Sequence, residues 1–302
     1  MSVVIRKILA ATDFSPASEG ALRWADFLAS RLGAELVLFH AFSLDPALLA
    51  GPTGVAVDLA SRLLDEVRRA AEESMRELQT RFPRARAVIE QAPAREGIVR
   101  AAHAQQADLV CVGTHGRTGL PRLLQGSVAQ HVVVHSPVPV LTVRQDDRPA
   151  RLRCILAPTD FSPPADAALP WADFLARAFD ARLVLLHVVE VTYETILDLP
   201  RAARAEPVGE ALARELQERA RRELESRAQS LGPCELVLRT GLGAGLSRQT
   251  IVEVAQEVDA DLVVIGTHGR TGVERILFGS VAEHVVRTSP VPVLTVRQPR
   301  SS

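Results

Sequence analysis

The sequence predicts an α/β protein made of two tandem, doubly wound parallel sheets with five strands each. The first observation is a duplication: a segment that starts at Ala11 returns at Pro158, and one that starts at Ala107 returns at Ala260. The second is the alternation of short apolar runs with longer amphipathic segments in each copy. Strands separated by helices form parallel sheets that are covered on both faces, and right-handed crossovers make them doubly wound.

The duplication extends over nearly all of the 302 residues. ATDFSPASEGALRWADFLASRLGAELVLFH (11–40) matches PTDFSPPADAALPWADFLARAFDARLVLLH (158–187), and SPVPVLTVRQ occurs unchanged at 136–145 and 289–298. The offset between the copies grows from 147 to 153 residues, so the second copy carries six extra residues in its middle.

The domain boundary follows from this repeat. The polar stretch DDRPA (146–150) joins the copies, and a length of ~150 residues per copy suits an ordinary domain. We predict domains at 1–146 and 151–298.

Each element of the first copy follows from its local pattern. RKILAAT is a β-rich run, and SPASEGALRWADFLASRLG is amphipathic, with Ser15 or Ser18 as candidate N-cap. AELVLFHA is again strand-like. The remaining elements are a charged helix at about 62–81, the strand RAVIEQ, a helix at about 95–106, the strand ADLVCVG, a glycine loop, a helix at about 127–135 and the strand PVPVLTVR. Between the second strand and the charged helix, the apolar segment 41–60 is interpreted as a loop, either a flap or a partner surface.

Composition limits the class of protein. With 35 basic and 36 acidic residues the net charge is −1, which gives no electrostatic reason to expect nucleic acid or an anionic membrane as a partner. Cys111 and Cys154 lie in apolar runs, and we interpret them as buried thiols in a reducing compartment. MSVVIRKILA lacks the apolar segment of a signal peptide, and no apolar stretch approaches the ~18 residues of a membrane span. We expect a cytoplasmic protein.

A glycine loop occurs once in each copy, as GTHGRTGLPRLLQGS (113–127) and GTHGRTGVERILFGS (266–280). In a sheet of order 3-2-1-4-5, ligands bind between strands 1 and 4, where this loop follows strand 4. Glycine lets a ligand approach the backbone, and the helix N-terminus after the loop favours an anion. Arg117 and Arg270 could reach a polyphosphate. His115 and His268 could orient phosphate or Mg²⁺, or they could serve loop packing alone.

Across the predicted crevice lie Asp13 and Asp160. A carboxylate at a strand tip can accept hydrogen bonds from an exocyclic amine or a hydroxyl. The alternative is that Asp13-Phe14-Ser15 only caps the first helix, and the pattern does not decide between these two interpretations.

These residues resemble the universal stress protein family, here in tandem. The resemblance is carried by TDFS after strand 1, by G-x2-G-x9-G-S and by the closing SPVPVLTV, and it covers essentially the whole chain. It implies a Rossmann-like fold of the adenine nucleotide alpha-hydrolase-like type and the binding of ATP, with Mg²⁺ as a candidate companion. Copy two follows the family pattern more closely, because Pro158 and Gly241 stand where copy one has Ala11 and Ala92.

The resemblance also implies roles for particular residues. Asp13 and Asp160 would contact the adenine, the backbone of Ala41 or Val188 would bind the base, Gly113 and Gly266 would lie by the ribose, and the later loop residues would hold the phosphates. The candidate nucleotide-binding residues of copy one are Asp13, Ala41, Gly113, Thr114, His115, Gly116, Arg117, Gly126, Ser127 and Val128. Those of copy two are Asp160, Val188, Gly266, Thr267, His268, Gly269, Arg270, Gly279, Ser280 and Val281. Members of the family commonly pair through the last strand, which a tandem chain can do internally, and a homodimer or an unknown protein partner is also possible.

Two other motifs have simpler interpretations. GLGAG (241–245) lacks the last glycine of a dinucleotide fingerprint and follows the third strand, so we interpret it as a strand-to-helix loop. HVVVH (131–135) has the spacing of a metal pair but no third ligand, so we expect solvent-facing or capping histidines. Neither G-x4-G-K-[ST] nor G-x-S-x-G occurs, and we predict no catalytic and no metal-binding residue.

Three hypotheses for function remain. The first is a stress-response regulatory protein that binds ATP at one site per domain, so that binding biases segments 41–60 and 189–206 and gates a partner. The second is a slow ATPase or self-phosphorylating enzyme. The third is a nucleotide-free scaffold.

Overall fold

The chain forms two compact units, Val4–Pro149 and Ala150–Ser302. The structure is a computed structural model, and it describes residues 3–44, 54–114, 128–144, 147, 149, 151–191, 206–242, 246–267 and 278–298. No helix within these ranges is both long enough and apolar enough to cross a bilayer.

The first unit is a parallel sheet with the predicted strand order. Its elements are β1 Lys7–Ala11, α1 Pro16–Leu32, β2 Glu35–Phe42, α2 Gly54–Arg81, β3 Arg86–Gln91, α3 Ala94–Ala104, β4 Leu109–Gly113, α4 Val128–His135 and β5 Val140–Val143. The strands lie in the order β3-β2-β1-β4-β5, and all neighbouring pairs are parallel.

The second unit repeats this arrangement. Its elements are β6 Cys154–Pro158, α5 Pro163–Phe179, β7 Arg182–Val191, α6 Glu206–Ala228, β8 Cys234–Leu242, α7 Leu246–Glu257, β9 Leu262–Gly266, α8 Ser280–Thr288 and β10 Val293–Val296. The order is β8-β7-β6-β9-β10, again parallel throughout. Both units therefore confirm the predicted doubly wound, 3-2-1-4-5 sheet.

Aliphatic side chains build most of the interior of each sheet, in a chain in which only 4% of the residues are aromatic. The central strands β1 and β6 contribute Ile8, Leu9, Ile155 and Leu156, none of which exposes any surface. Cys111 in β4 and Cys154 in β6 are also buried, as the apolar runs around them indicate.

The repeated aspartate of ADLV holds the start of the central strand. Asp108 Oδ2 accepts the backbone N–H groups of Arg6 and Lys7 at 2.7 and 2.9 Å. Asp261 does the same for Arg153 and Cys154 at 2.7 and 3.0 Å. Because β1 and β6 start at a fixed point, their carboxyl ends are fixed beside β4 and β9.

One predicted helix boundary is wrong. The start predicted near residue 62 lies in fact at Gly54, because α2 runs over Gly54–Arg81. The supposed loop 41–60 therefore contributes its first two residues to β2 and residues 54–60 to α2. Residues 54–60 contain no proline and only one charged residue, Asp58, so a mostly apolar segment can extend the charged helix toward its N-terminus.

Candidate functional site

The carboxyl ends of the central strands form the crevice of each unit. β1 pairs with β2 on one side and β4 on the other, and β6 pairs likewise with β7 and β9. Strand order therefore reverses at these central strands, which is where open α/β sheets bind ligands.

A tight turn follows the central strand in both units. Thr12 Oγ1 accepts the N–H of Phe14 at 2.9 Å, and Thr159 Oγ1 accepts that of Phe161 at 3.0 Å. Both phenylalanines have left-handed backbones, with φ values of 62° and 65°. Such a conformation is uncommon for a bulky residue and persists only where the surroundings enforce it.

The aspartate in this turn accepts two hydrogen bonds from the serine two positions later. Asp13 Oδ1 accepts the N–H of Ser15 at 3.0 Å and its hydroxyl. Asp160 Oδ1 accepts the N–H of Ser162 at 3.0 Å and its hydroxyl. Ser15 is the N-cap of α1 without a side-chain capping bond, so the aspartate organises the turn before the helix. The turn also places each carboxylate at the tip of the central strand.

A buried histidine supports each turn from the next strand. His40 Nδ1 lies 2.8 Å from the carbonyl oxygen of Thr12, and His187 Nδ1 lies 2.7 Å from that of Thr159. Since a carbonyl only accepts, Nδ1 carries the proton in both rings. Each ring also packs against the left-handed phenylalanine, with centroids 4.2 Å apart in the first unit and 4.0 Å in the second.

The backbone of Ala41 and of Val188 faces the crevice. Phe39 O accepts the N–H of Thr12, and Leu186 O accepts that of Thr159, just where the central strand ends. Backbone groups in a strand point to alternate sides. Ala41 and Val188 each lie two residues further, so their N–H and C=O groups point to the same side, beyond the end of the central strand.

In the second unit these features border one cavity of about 890 Å³. It is large enough for a small-molecule ligand. Six of the sequence-predicted site residues line it: Asp160, Val188, Gly266, Gly279, Ser280 and Val281. The structure thus brings together residues from four separate parts of the sequence.

The N-terminus of α8 opens into this cavity. Gly279 is the N-cap, and no side chain caps the helix. The Gly279 N–H donates to Thr267 O at 2.8 Å. Among the described residues, the N–H groups of Ser280, Val281 and Ala282 have no hydrogen-bond acceptor. These three N–H groups, together with the helix dipole, can accept an anion.

Gly113 and Gly266 have a structural role that their sequence position alone does not reveal. A Cβ on Gly113 would lie 2.6 Å from Ala17 O, and one on Gly266 would lie 2.4 Å from Pro164 O. The glycines therefore let the helix after the central strand approach the end of the neighbouring strand. From the sequence, we expect these glycines to let a ligand approach the backbone; in the structure, a helix of the same unit approaches them this closely.

The remaining predicted site residues do not line this cavity or lie outside the described residues. The N–H groups of Thr114 and Thr267 continue the sheet, donating to Val143 O and Val296 O at 2.9 and 3.0 Å. In the first unit Val128 begins α4 and is partly exposed. His115, Gly116, Arg117, Gly126, Ser127, His268, Gly269 and Arg270 lie outside the described residues.

Four charged residues and one serine that the sequence did not suggest also border the cavity. Glu190, Arg219, Glu223, Arg227 and Ser247 line it. Glu190 Oε1 accepts the N–H of Ser247 at 2.6 Å at the start of α7, and also its hydroxyl. At the offsets of the repeat, Ser43 and Ala94 replace this pair in copy one. The sequence signal that could have revealed the pair is this difference: both of its residues change between two copies that are otherwise closely similar.

Among these charged residues, Arg227 forms two ion pairs. Its partners are Asp166 and Glu223, at 2.6 and 2.7 Å. Partial burial opposes its charge, but the hydrogen bonds to both carboxylates outweigh that effect and raise the pKa of the guanidinium above its usual value.

The described residues contain no group of three or more His, Cys, Asp or Glu side chains that could hold a metal ion. In HVVVH, His135 Nδ1 donates to His131 O at 2.9 Å, and the two rings stack with centroids 4.1 Å apart. His135 thus caps a helix carbonyl, which was one of the two expected roles.

Comparison with known proteins gives consistent results. The family model described as universal stress protein family matches residues 5–144 and again 152–297. A universal stress protein of Mycolicibacterium smegmatis is 30% identical over 300 residues, covering 96% of each chain. One from Methanocaldococcus jannaschii is 38% identical over 146 residues, which are 48% of this chain and 82% of the relative. Among solved structures, a universal stress protein from Archaeoglobus fulgidus has a TM-score of 0.61 at 22% identity, covering 97% of this chain and 96% of its own.

Proposed function

Because the chain belongs to the universal stress protein family, with one family domain in each half, we propose that it is a regulatory protein that binds ATP at one site per domain. The proposal includes no committed catalysis. Its main support is the cavity of the second unit, where a carboxylate, an exposed strand backbone and an uncapped helix N-terminus line the same space.

The two ends of the cavity suit the two ends of a nucleotide. The backbone N–H and C=O of Val188 can pair with the ring nitrogen and the exocyclic amine of adenine, and Asp160 can accept a further hydrogen bond from the nucleoside. The N–H groups of Ser280, Val281 and Ala282 can bind phosphate oxygens, as uncapped helix N-termini do. Apolar side chains such as Ile251 and Ile265, which also line the cavity, can contact the purine faces.

Mg²⁺ would enter with the nucleotide in this proposal. No cluster of acidic or histidine ligands in the described part of the chain provides a site of its own, and Mg²⁺ commonly takes most of its ligands from phosphates and water. The ion would neutralise phosphate charge beside the N-terminus of α8.

The first domain would bind in the same way. Asp13 and the backbone of Ala41 have the same local geometry as Asp160 and Val188, down to the left-handed phenylalanine that follows the aspartate. The gating role proposed for segments 41–60 and 189–206 involves residues 45–53 and 192–205, which lie outside the described residues. Their response to ATP, detected by a partner protein, is the regulatory part of the proposal.

Pairing of the domains through their last strands is a further part of the proposal. β5 and β10 are each last in the strand order of their own unit, and both derive from the identical sequence SPVPVLTVRQ. Pairing would protect two sheet edges that otherwise invite aggregation. Slow hydrogen exchange at the backbone N–H groups of both strands would support it, and fast exchange at both would contradict it.

Calorimetric titration of the full chain with Mg·ATP tests the nucleotide proposal. We expect binding at two sites, and Asp160→Ala should weaken one of them by about 10- to 100-fold, because a hydrogen bond to a charged group is lost. Glu218→Ala removes an exposed carboxylate from α6 and serves as control. No heat and no bound nucleotide at millimolar ATP would overturn the proposal and favour a nucleotide-free scaffold. Steady release of phosphate by the wild type would instead favour the slow ATPase.

A further inference from the structure

Arg227 stands at the centre of a charged cluster in the last turn of α6. Its Nε donates to Asp166 Oδ1 at 2.6 Å and its Nη2 to Asp166 Oδ2 at 3.2 Å, while Nη1 donates to Glu223 Oε2 at 2.7 Å. This fork fixes both the position and the plane of the guanidinium. Only 18% of the arginine side chain is exposed, whereas the side chains of Asp166 and Glu223 are 41% and 46% exposed, so the guanidinium is shielded and its two partners face the solvent.

The guanidinium also holds the turn that carries Asp160. Nη2 donates to the carbonyl oxygen of Phe161 at 3.1 Å, and the Arg227 Cζ lies 4.6 Å from the centroid of the Phe161 ring. The Phe161 ring also stacks on His187, whose ring centroid lies 4.0 Å from that of Phe161 with 24° between the planes.

Asp160 is therefore fixed from both sides of the chain. His187 holds the carbonyl of the preceding residue, Thr159, and Arg227 holds the carbonyl of the following residue, Phe161. The left-handed backbone at Phe161 costs conformational energy. A contact to both its ring and its carbonyl is well suited to maintaining that conformation when the cavity holds no ligand.

In the first unit the matching carboxylate has a different partner. Glu19 matches Asp166 at the repeat offset of 147 residues, and it pairs with Arg81. Val37 pairs with Arg86 and the matching Val184 with Glu235, an offset of 149 residues directly after these helices, so the residue that matches Arg227 is Leu78. Phe14 and His40 are present, but their rings are tilted by 37°. Among the described residues no cation lies over Phe14, since the neighbouring Arg81 lies over Phe82 instead.

We propose that Arg227 is a positioning residue that pre-organises Asp160 for the base of the nucleotide and makes the second domain the tighter of the two sites. The inference rests on the proposed function. A site whose geometry is fixed beforehand loses less freedom on binding, so the benefit of Arg227 should appear in contacts to the base and not in contacts to the phosphates.

The test uses the full chain with Asp13→Ala, so that the first site is weakened and the tighter phase of binding reports the second site. Arg227→Leu, which copies the residue of the first unit, is compared with the parent for ATP, adenosine and inorganic triphosphate. We expect the affinities for ATP and adenosine to fall by the same factor, about tenfold, and the affinity for triphosphate to stay unchanged. Arg222→Leu removes an exposed positive charge from the same helix and should leave all three affinities unchanged.

A second variant keeps the test valid if Arg227→Leu folds poorly. Arg227→Lys retains a cation near the Phe161 ring but cannot donate to Asp166 and to Phe161 O with one planar fork, so it should recover only part of the loss for adenosine. Unchanged ATP affinity in both variants would overturn the inference. Triphosphate affinity that falls as much as adenosine affinity would also overturn it, because the role would then be one of charge or of overall fold. Absence of ATP binding by the Asp13→Ala parent would instead overturn the proposed function.

Discussion

At the scale of single residues, the glycines at the ends of β4 and β9 show that a motif predicted from the sequence to bind a ligand can also have a packing role. Each lies against a carbonyl of the helix that follows the central strand, with no room for a Cβ. The same helices carry the N-caps that follow Asp13 and Asp160. A larger residue at either glycine would therefore move the aspartate turn as well as the strand.

We expect Gly266→Ala to lower the free energy of unfolding of the second domain by about 1 to 3 kcal/mol, because the added methyl group would be forced against Pro164 O. Gly113→Ala should do the same to the first domain. Urea unfolding measures both. The control is Gly97→Ala in α3, where the nearest atoms are two methyl carbons at 3.2 Å and alanine improves helix propensity by about 1 kcal/mol. Equal losses at all three positions would contradict this interpretation.

A second residue-scale prediction concerns pH. Burial lowers the pKa of His131 from its usual value of 6.5, and the charges of His135 and Arg95 add to the effect. Because the unfolded chain then binds the proton more readily, this histidine reduces stability progressively as the pH falls below about 6.5. His131→Gln should flatten the fall in stability of the first domain between pH 7 and 5, as followed by thermal unfolding. An unchanged fall in stability in this variant would contradict the prediction.

At the scale of elements, α1 and α5 are matched helices with one conspicuous difference. Both span seventeen residues, but α5 has Pro170 in its interior, where α1 has Arg23. A proline there removes one backbone hydrogen bond and crowds the preceding turn. The helix persists because its other face packs Ala168, Leu169, Ala172 and Leu175 into the core.

Pro170→Ala should therefore stabilise the second domain. The position is exposed, and alanine supplies a backbone N–H that can donate to the carbonyl of Asp166. We therefore expect a gain of about 1 to 3 kcal/mol in the free energy of unfolding. Chemical denaturation measures it. Arg23→Ala, at the matching position of α1, should change the first domain by less. A loss of stability with Pro170→Ala would show that the proline is required by the shape of α5.

The elements were largely predictable because their sequence patterns are local. Buried strands such as LVCVG and LVVIG need only apolar residues in a row, and the repeat supplied each pattern twice. The start of α2 was missed because its first turns are apolar without helical periodicity. Glu190 and Arg227 in the cavity wall were missed because the fold, and not the local sequence, brings them to the crevice. The packing role of Gly266 was not predicted, because it depends on a carbonyl group of α5, which is far from Gly266 in the sequence.

At the scale of the whole molecule, two homologous domains offer two sites that differ in detail. The shared turn and histidine give both domains the same geometry around the aspartate, while Arg227, Glu190 and Ser247 have no identical residue at the matching positions of the first domain. ATP should therefore act on each domain separately and to a different extent.

Saturating ATP should raise the unfolding temperature of each domain. A ligand at 100 times its Kd adds about 2.7 kcal/mol, which corresponds to roughly 5 to 10 °C for domains of this size. In differential scanning calorimetry, Asp160→Ala should reduce the shift of the second domain to about half or less, and Asp13→Ala should do the same to that of the first. A full shift of both domains in the double variant would mean that ATP binds somewhere else.

The cysteines supply a means of following the two domains individually. Burial raises the pKa of the Cys111 thiol and of the Cys154 thiol, so neither should react with an alkylating reagent until its own domain opens, whereas Cys234 is only partly covered. Mass spectrometry of the labelled peptides would then reveal which half of the chain loosens first under heat or denaturant. The duplicated protein thus carries a separate chemical reporter inside each half, without any engineered label.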